Sequence, residues 1–117
     1  MEHNIDFLPL GSVVIVKGNI KKIVIVARGL IIKVNGQMRL FDYGGVLYPE
    51  GMLSDEIVYF NHKDIKNVVH TGFKDGDDEL IVENINEWIN ESEIKHGEPY
   101  EINLQKLKSG TNNIEQS

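Results

Sequence analysis

The hydrophobic and polar pattern of the first two thirds of the chain predicts a series of short β-strands. Six runs of hydrophobic and β-branched residues are separated by Gly, Asn or charged residues, a pattern typical of strands joined by turns. The runs cover residues 12–16, 22–27, 30–34, 37–43, 56–60 and 67–73. Between the third and fourth runs, Asn35-Gly36 predicts a type I′ hairpin, because both central residues of that turn need positive φ. Gly29 predicts a bend or bulge between the second and third runs.

The spacing of hydrophobic residues changes after residue 74. Ile81, Ile85, Trp88 and Ile89 recur at helical intervals, and acidic residues precede them where the start of a helix favours negative charge. This pattern predicts an amphipathic helix over residues 78–94. We expect residues 1–95 to form a single domain and residues 96–117 to be a polar, partly disordered tail, with a further strand or short helix left open within 100–107.

Together these elements predict an α+β fold. Strands separated by so little helix cannot form a parallel α/β sheet. We expect a small curled antiparallel sheet or barrel of five to six strands, with the C-terminal helix packed on it. In this prediction, Gly29 and the Gly44-Gly45 pair let strands turn the corners of the barrel.

Composition and charge narrow the class of protein. The chain has 117 residues, 41% hydrophobic and 26% charged, and it contains no cysteine, which excludes disulfides and thiolate chemistry. Its net charge of −6 divides unevenly, with +2 on residues 1–74 and −8 on residues 75–117. An acidic surface repels phosphate backbones, so we expect no nucleic-acid partner. No signal peptide and no bilayer-spanning hydrophobic run is visible, so we expect a cytoplasmic protein without a membrane partner.

Motifs for catalysis or metal binding are missing from the sequence. The four histidines do not have the spacing of a metal-binding helix, and the DGDDE run at 75–79 lacks the glycine and glutamate of a calcium loop. Neither a nucleophile elbow nor a phosphate-binding loop is present. Asp42 and Glu50 have no spacing that supports an acid–base pair. We therefore expect no enzyme activity, no metal and no cofactor.

The stretch LFDYGGVLYPEG at residues 40–51 predicts a rigid aromatic corner. Two tyrosines flank a glycine pair, and Pro49 stiffens the exit. Rigid aromatic surfaces lose little entropy when they bind a partner, although such corners also occur purely for packing. Trp88 allows the same two interpretations, a core anchor between helix and sheet or an exposed contact for a partner.

Several of these segments together resemble a known protein family. LPLGSVV, KKIVIVARG, FDYGGVLYPEG, YFNHKDI and VVHTGF, within residues 8–94, resemble a domain of unknown function found in Gram-positive bacteria beside LXG-type toxins of the type VII secretion system. The resemblance implies a cytosolic, non-catalytic chaperone or adaptor that binds a cognate LXG effector before export.

The matching motifs also single out residues. They place Asp42, Tyr43, Tyr48, Pro49 and His62 among the candidate partner-binding residues, to which the helix analysis adds Trp88. Asn61 and Asp64 belong to the same motif.

Three other functions remain open at this point. An immunity protein that neutralises the toxin would come from the same gene clusters. A small barrel carrying Arg28, Lys33 and Arg39 beside Phe41 could bind nucleic acid or a small ligand, although ordinary strand alternation explains these residues too. The sequence also leaves open whether the protein forms a homodimer.

Overall fold

The structure is a computed structural model that describes residues 4–102. Five strands form one antiparallel sheet in the order β4-β3-β2-β1-β5. The strands are β1 (Val13–Val16), β2 (Lys22–Val34), β3 (Gln37–Tyr48), β4 (Val58–Phe60) and β5 (Ile65–His70). A 3₁₀ turn over His62–Asp64 joins β4 to β5, and the helix α1 (Gly76–Glu91) packs on the sheet. The α+β class is therefore confirmed.

The predicted barrel is wrong, because the sheet stays open. β4 and β5 lie at opposite edges of the sheet, and within residues 4–102 they are not paired with each other. β4 pairs with only three residues of β3, Tyr43, Gly44 and Gly45. The structure leaves the outer edge of β5 unpaired within the described part of the chain.

One long hairpin forms the centre of the sheet. β2 has 13 residues and joins two runs that the sequence predicted as separate strands. Gly29 lies within it at φ 65°, a conformation that favours glycine. A register shift between Ile25 and Ala27 adds a bulge. Asn35 and Gly36 both have positive φ, at 51° and 81°, which confirms the predicted hairpin turn.

The glycine pair of β3 permits close packing and does not form a corner. A Cβ at Gly45 would lie 2.4 Å from Ile23 Cγ2, and one at Gly44 would lie 2.9 Å from Leu30 Cδ1. β3 therefore continues straight through both glycines to Tyr48, and the chain turns only afterwards. The prediction that this pair bends the strand is wrong, because the glycines are needed for the close approach of β2.

The helix α1 begins at Gly76 and ends at Glu91, slightly earlier than predicted. The Asp75 side chain accepts a hydrogen bond from Asp78 N at 3.2 Å and caps the first turn. Val82, Ile85 and Ile89 pack against the main core cluster. That cluster comprises Phe7, Val14, Val16, Ile23, Ile25, Leu40, Tyr43, Phe60 and Ile89. Neither α1 nor any other helix within residues 4–102 combines the length and the hydrophobicity needed to cross a membrane.

The folded body extends beyond the predicted domain boundary at residue 95. Leu40 N donates to Lys95 O and Gly97 N donates to Leu40 O, both at 2.9 Å, so this segment lies against the outer edge of β3. A helical turn begins at Pro99, and Ile102 packs with Val34 and Phe41 in a second hydrophobic cluster. We call residues 95–98 the strap. The rest of the predicted tail lies outside the described residues.

Candidate functional site

Seven consecutive residues of β3, from Leu40 to Val46, are buried, which is unusual for a strand that alternates between two faces. Phe41 packs with Ile102 and with the ring of Tyr59, whereas Tyr43 belongs to the main core cluster. Asp42 lies between these two residues in the sequence, and its side chain is 3% exposed. Because both faces of the strand are covered here, the central carboxylate must find its partners inside the protein.

Asp42 is held by hydrogen bonds from two segments of the chain. One carboxylate oxygen accepts from the backbone N–H of His62 at 2.9 Å. The other lies 3.0 Å from Nε2 of His96, whose side chain is 36% exposed. The buried acid thereby ties β3 to the 3₁₀ turn and to the strap.

Asn61 makes the same connection with neutral groups. Its Oδ1 accepts from Asp42 N at 3.0 Å, and its Nδ2 donates to Gly97 O at 2.8 Å. Its backbone N–H donates to Asp64 Oδ2 at 2.8 Å, which closes a capping box around the turn. This buried amide therefore satisfies polar groups of β3 and of the strap that would otherwise have no water to bind.

Tyr43 connects the core to the N-terminal segment. Its ring stacks on Phe60 at 5.3 Å and meets Phe7 edge-on at 5.4 Å between centroids. Its hydroxyl accepts from Leu8 N at 2.9 Å and lies 2.8 Å from Nδ1 of His62. Burial raises the pKa of the Tyr43 hydroxyl well above its ordinary value, so the phenol stays neutral.

The structure thus divides the candidate residues into two groups. Asp42 and Tyr43 are almost completely buried and hold chain segments in place, whereas a contact of these residues with a partner stays a prediction. His62 is half-buried and stacks on Tyr43 at 5.9 Å. Tyr48 and Pro49 are exposed and remain candidates for a contact.

The exposed part of the corner carries several hydrophobic side chains close together in sequence. Tyr48 is 48% exposed, Met52 60% and Leu53 81%. Lys22 Nζ lies 5.7 Å from the centroid of the Tyr48 ring, close enough for a cation–π contact. We call Tyr48, Pro49, Met52 and Leu53 the corner surface.

A groove of about 310 Å³ adjoins the corner surface. Leu47, Leu53 and Val58 supply its hydrophobic lining, and Glu50 and Glu56 its acidic lining. Lys21 Nζ donates to Glu50 at 2.9 Å, and this hydrogen bond lowers the pKa of the Glu50 carboxyl. The groove is therefore suited to a hydrophobic side chain with a polar or basic neighbour.

Trp88 does not anchor the helix in the core. Trp88 is 41% exposed and lies at the edge of the hydrophobic face of α1. The interpretation of this residue as buried core is therefore wrong. The inner face of the helix instead contains Asn86, which is 8% exposed. Its Oδ1 accepts from Ile5 N at 2.9 Å and its Nδ2 donates to Ile5 O at 2.8 Å. The amide thus pairs with both backbone groups of Ile5, as a residue of an adjacent strand would.

Three of the residues that fasten the segments, Asn86, His96 and Ser12, could not be recognised from the sequence pattern. Asn86 and His96 lie in stretches without a turn or motif. Ser12 lies in an ordinary strand pattern, although its Oγ accepts a hydrogen bond from Gly72 N at 2.9 Å. Asn61 and Asp64, by contrast, belong to the motif that the family resemblance singled out. These two motif residues therefore hold the 3₁₀ turn against β3 and the strap.

The contacts of this network join separate segments of the chain. A buried Asp beside a half-exposed His can orient an imidazole, but here His62, Asn61 and the strap all use the same network to fasten the chain. Within residues 4–102, no group of three or more His, Asp or Glu side chains could hold a metal ion.

Comparison with known proteins places the chain in a family. A family model described as a domain of unknown function, DUF4176, matches residues 7–81, which include β1 to β5 and the first part of α1. No curated protein and no solved structure matches the chain. Because the match covers more than half of the sequence, the chain belongs to the DUF4176 family.

Proposed function

We propose that this protein is a cytoplasmic, non-catalytic accessory factor that binds an LXG effector of a type VII secretion system and prepares it for export. The corner surface is the proposed contact. The observation that supports this function is the combination of exposed hydrophobic side chains at Tyr48, Met52 and Leu53 with a buried network that fixes β3, the strand that ends at Tyr48.

A preformed surface binds more tightly than a mobile one, because less conformational entropy is lost on association. Tyr48 is the last residue of β3, and the strand behind it is fixed by Tyr43 and Asp42. Gly51 N donates to Leu47 O at 2.7 Å, which closes the turn that presents Pro49. The surface therefore needs little rearrangement to receive a partner.

Hydrophobic side chains that remain exposed on a folded protein often mark an interaction site when they are grouped. The groove beside Leu53 offers a recess for a side chain of the partner, and Glu56 supplies negative charge at its rim. An effector segment with a hydrophobic residue next to Lys or Arg would complement both features.

The decisive experiment measures binding of the full chain to two separate fragments of a cognate effector, the LXG domain and the C-terminal toxic domain. We expect calorimetry to detect binding to the LXG domain, and we expect loss of effector export when the gene is deleted. Binding confined to the toxic domain, together with rescue of intoxicated cells, would identify an immunity protein and contradict the proposal.

The corner surface is tested with the double variant Tyr48→Ala and Leu53→Ser. Both side chains are exposed, so the variant should fold, and we expect its affinity for the effector to fall at least about tenfold. Phe73→Ser is the matched control, because Phe73 is 81% exposed and follows the end of β5 at the opposite edge of the sheet. Equal losses in both variants would exclude the corner surface as the contact. A salt-sensitive gel shift with RNA or single-stranded DNA would instead favour a nucleic-acid-binding module.

A further inference from the structure

A second exposed hydrophobic feature lies along the edge of α1. Ile81, Ile85 and Trp88 line a shallow groove of about 270 Å³, whose floor includes Gly29 of β2. The absence of a side chain at Gly29 lets Ile85 pack closely on β2, because a Cβ there would lie 3.0 Å from Ile85 Cγ2. Gly29 also has φ 65°, a conformation that side chains rarely adopt.

The spacing along this groove matches a known mode of recognition. Residues 81, 85 and 88 stand at i, i+4 and i+7, the spacing by which one helix packs beside another. Ile81 is 48% exposed and Trp88 is 41% exposed, although Ile85 also packs against the core. A single exposed isoleucine would need no explanation, but a line over two helical turns that ends in tryptophan resembles an unfilled helix contact.

The charge around the groove restricts what can fill it. α1 carries six carboxylates and no Lys or Arg. Its acidic residues are Asp77, Asp78, Glu79, Glu83, Glu87 and Glu91. Asp78 is paired with Arg28 at 2.8 Å, which neutralises the cation next to Gly29. On a helical projection Asp77, Glu87 and Glu91 lie on the side of Ile81 and Trp88 that faces away from the sheet. The solvent side of the groove is therefore negatively charged.

We propose that this groove binds a basic amphipathic helix of a partner protein. Its hydrophobic residues would cover Trp88 and Ile81, and its Lys or Arg residues would face Glu87 and Glu91. Charge complementarity selects this occupant, because a second copy would bring two acidic helices together, and nucleic acid or an anionic membrane would be repelled. The groove is separate from the corner surface, and the inference does not depend on the partner being an effector.

The single tryptophan of the chain reports directly on this surface. The probe is a synthetic amphipathic peptide of about 18 residues built from Leu and Lys, long enough for about five helical turns. Added to the full-length protein, it should shift the emission of Trp88 to shorter wavelength and protect the ring from iodide quenching. The affinity should fall severalfold between about 50 and about 200 mM salt, because exposed charges are screened.

Matched variants separate specific docking from general attraction to an acidic protein. Ile81→Ser and the pair Glu87→Gln with Glu91→Gln should each weaken binding at least about fivefold, and the charge variant should also reduce the salt dependence. Glu83→Gln is the control for charge, because on the projection Glu83 lies away from the groove. Circular dichroism confirms that each variant is folded.

Several results would overturn the proposal. Equal binding of a peptide with Glu in place of every Lys would contradict the requirement for a basic partner. Binding of the Lys peptide without a change in the Trp88 emission would contradict the location of the site. Strong protection of Trp88 from iodide in the protein alone would mean that its own tail or a second copy fills the groove. Tyr48→Ala should leave peptide binding unchanged, so failure of the groove is distinguished from failure of the proposed function.

Discussion

Replacement of Asn61 by alanine should destabilise the protein far more than the loss of one small side chain. The substitution leaves the buried N–H of Asp42 and the buried carbonyl of Gly97 without their partners, at 3.0 and 2.8 Å in the native protein. A buried polar group left unsatisfied costs about 1–3 kcal/mol, so two such groups predict a loss of about 3–4 kcal/mol. This is a large fraction of the roughly 5–15 kcal/mol that stabilises a typical domain.

Urea unfolding followed by circular dichroism measures this loss. With a slope of about 1–3 kcal/mol per molar urea, a loss of about 3–4 kcal/mol should lower the midpoint by about 1–4 M. Asn67→Ala is the matched control, because Asn67 is exposed on β5 and its removal should cost less than about 0.5 kcal/mol. A loss below about 1 kcal/mol for Asn61→Ala would refute the argument that this amide fastens the strap.

The near-isosteric variant Asn61→Asp tests the direction of the hydrogen bonds. It keeps an acceptor for Asp42 N but sets a carboxylate oxygen against Gly97 O. Burial should raise the pKa of the new carboxyl in the folded protein above its value of about 4 in the unfolded chain. The variant should therefore be most stable below about pH 4, where the carboxyl is protonated in both states, and should lose stability as the pH rises. The deficit relative to the native protein should therefore shrink as pH falls toward about 4. A deficit independent of pH would show that the side chain is not enclosed.

Three further predictions concern the packing. Gly45→Ala should lower the free energy of unfolding by about 2–3 kcal/mol, because the new Cβ would lie 2.4 Å from Ile23 Cγ2. Gly76→Ala is the control: the space around Gly76 is open, so urea unfolding should show no loss of stability. Trp88→Ala should cost less than about 2 kcal/mol, since the ring is 41% exposed, and a loss above about 3 kcal/mol would mean that the ring is core. Burial raises the pKa of Tyr43, so its contribution is complete below about pH 10 and is lost as pH rises further; alkaline unfolding should be steeper in the native protein than in Tyr43→Phe.

Local features were predictable because short-range chemistry determines them. The Asn35-Gly36 turn follows from the need for positive φ, and the position of α1 follows from its acidic start and helical spacing. Each of these features depends on residues within one or two turns of each other.

The long-range arrangement could not be predicted in the same way. The Gly44-Gly45 pair can allow a bend or a close approach, and only the packing of Ile23 and Leu30 against it decides between them. Trp88 lies near the boundary of the hydrophobic face of α1, and a sequence period does not determine which side of that boundary the sheet covers. Closure into a barrel depends on pairing between the edge strands, for which hydrophobic spacing contains no information.

The polar network was missed because its members are far apart in the sequence. Asp42 and His96 are separated by 54 residues, and Ile5 and Asn86 by 81. A polar residue in a strand or helix normally faces solvent, so nothing in the local pattern marks these residues as buried. The resemblance to a family singled out Asn61 and Asp64, although without their role in fastening the strap.

The strap has a consequence for how the chain reaches its native state. The outer edge of β3 is covered by β4, then by the side chain of Asn61, and then by the strap, which is synthesised after all five strands and α1. Until Gly97 has left the ribosome, the Asn61 amide lacks one partner and Leu40 presents free backbone groups, as an exposed strand edge does. Because loops of such length must close before these contacts form, we expect the domain to complete folding only after its translation and to do so slowly. A nascent chain halted before the strap would therefore be an open template for aggregation in the cell.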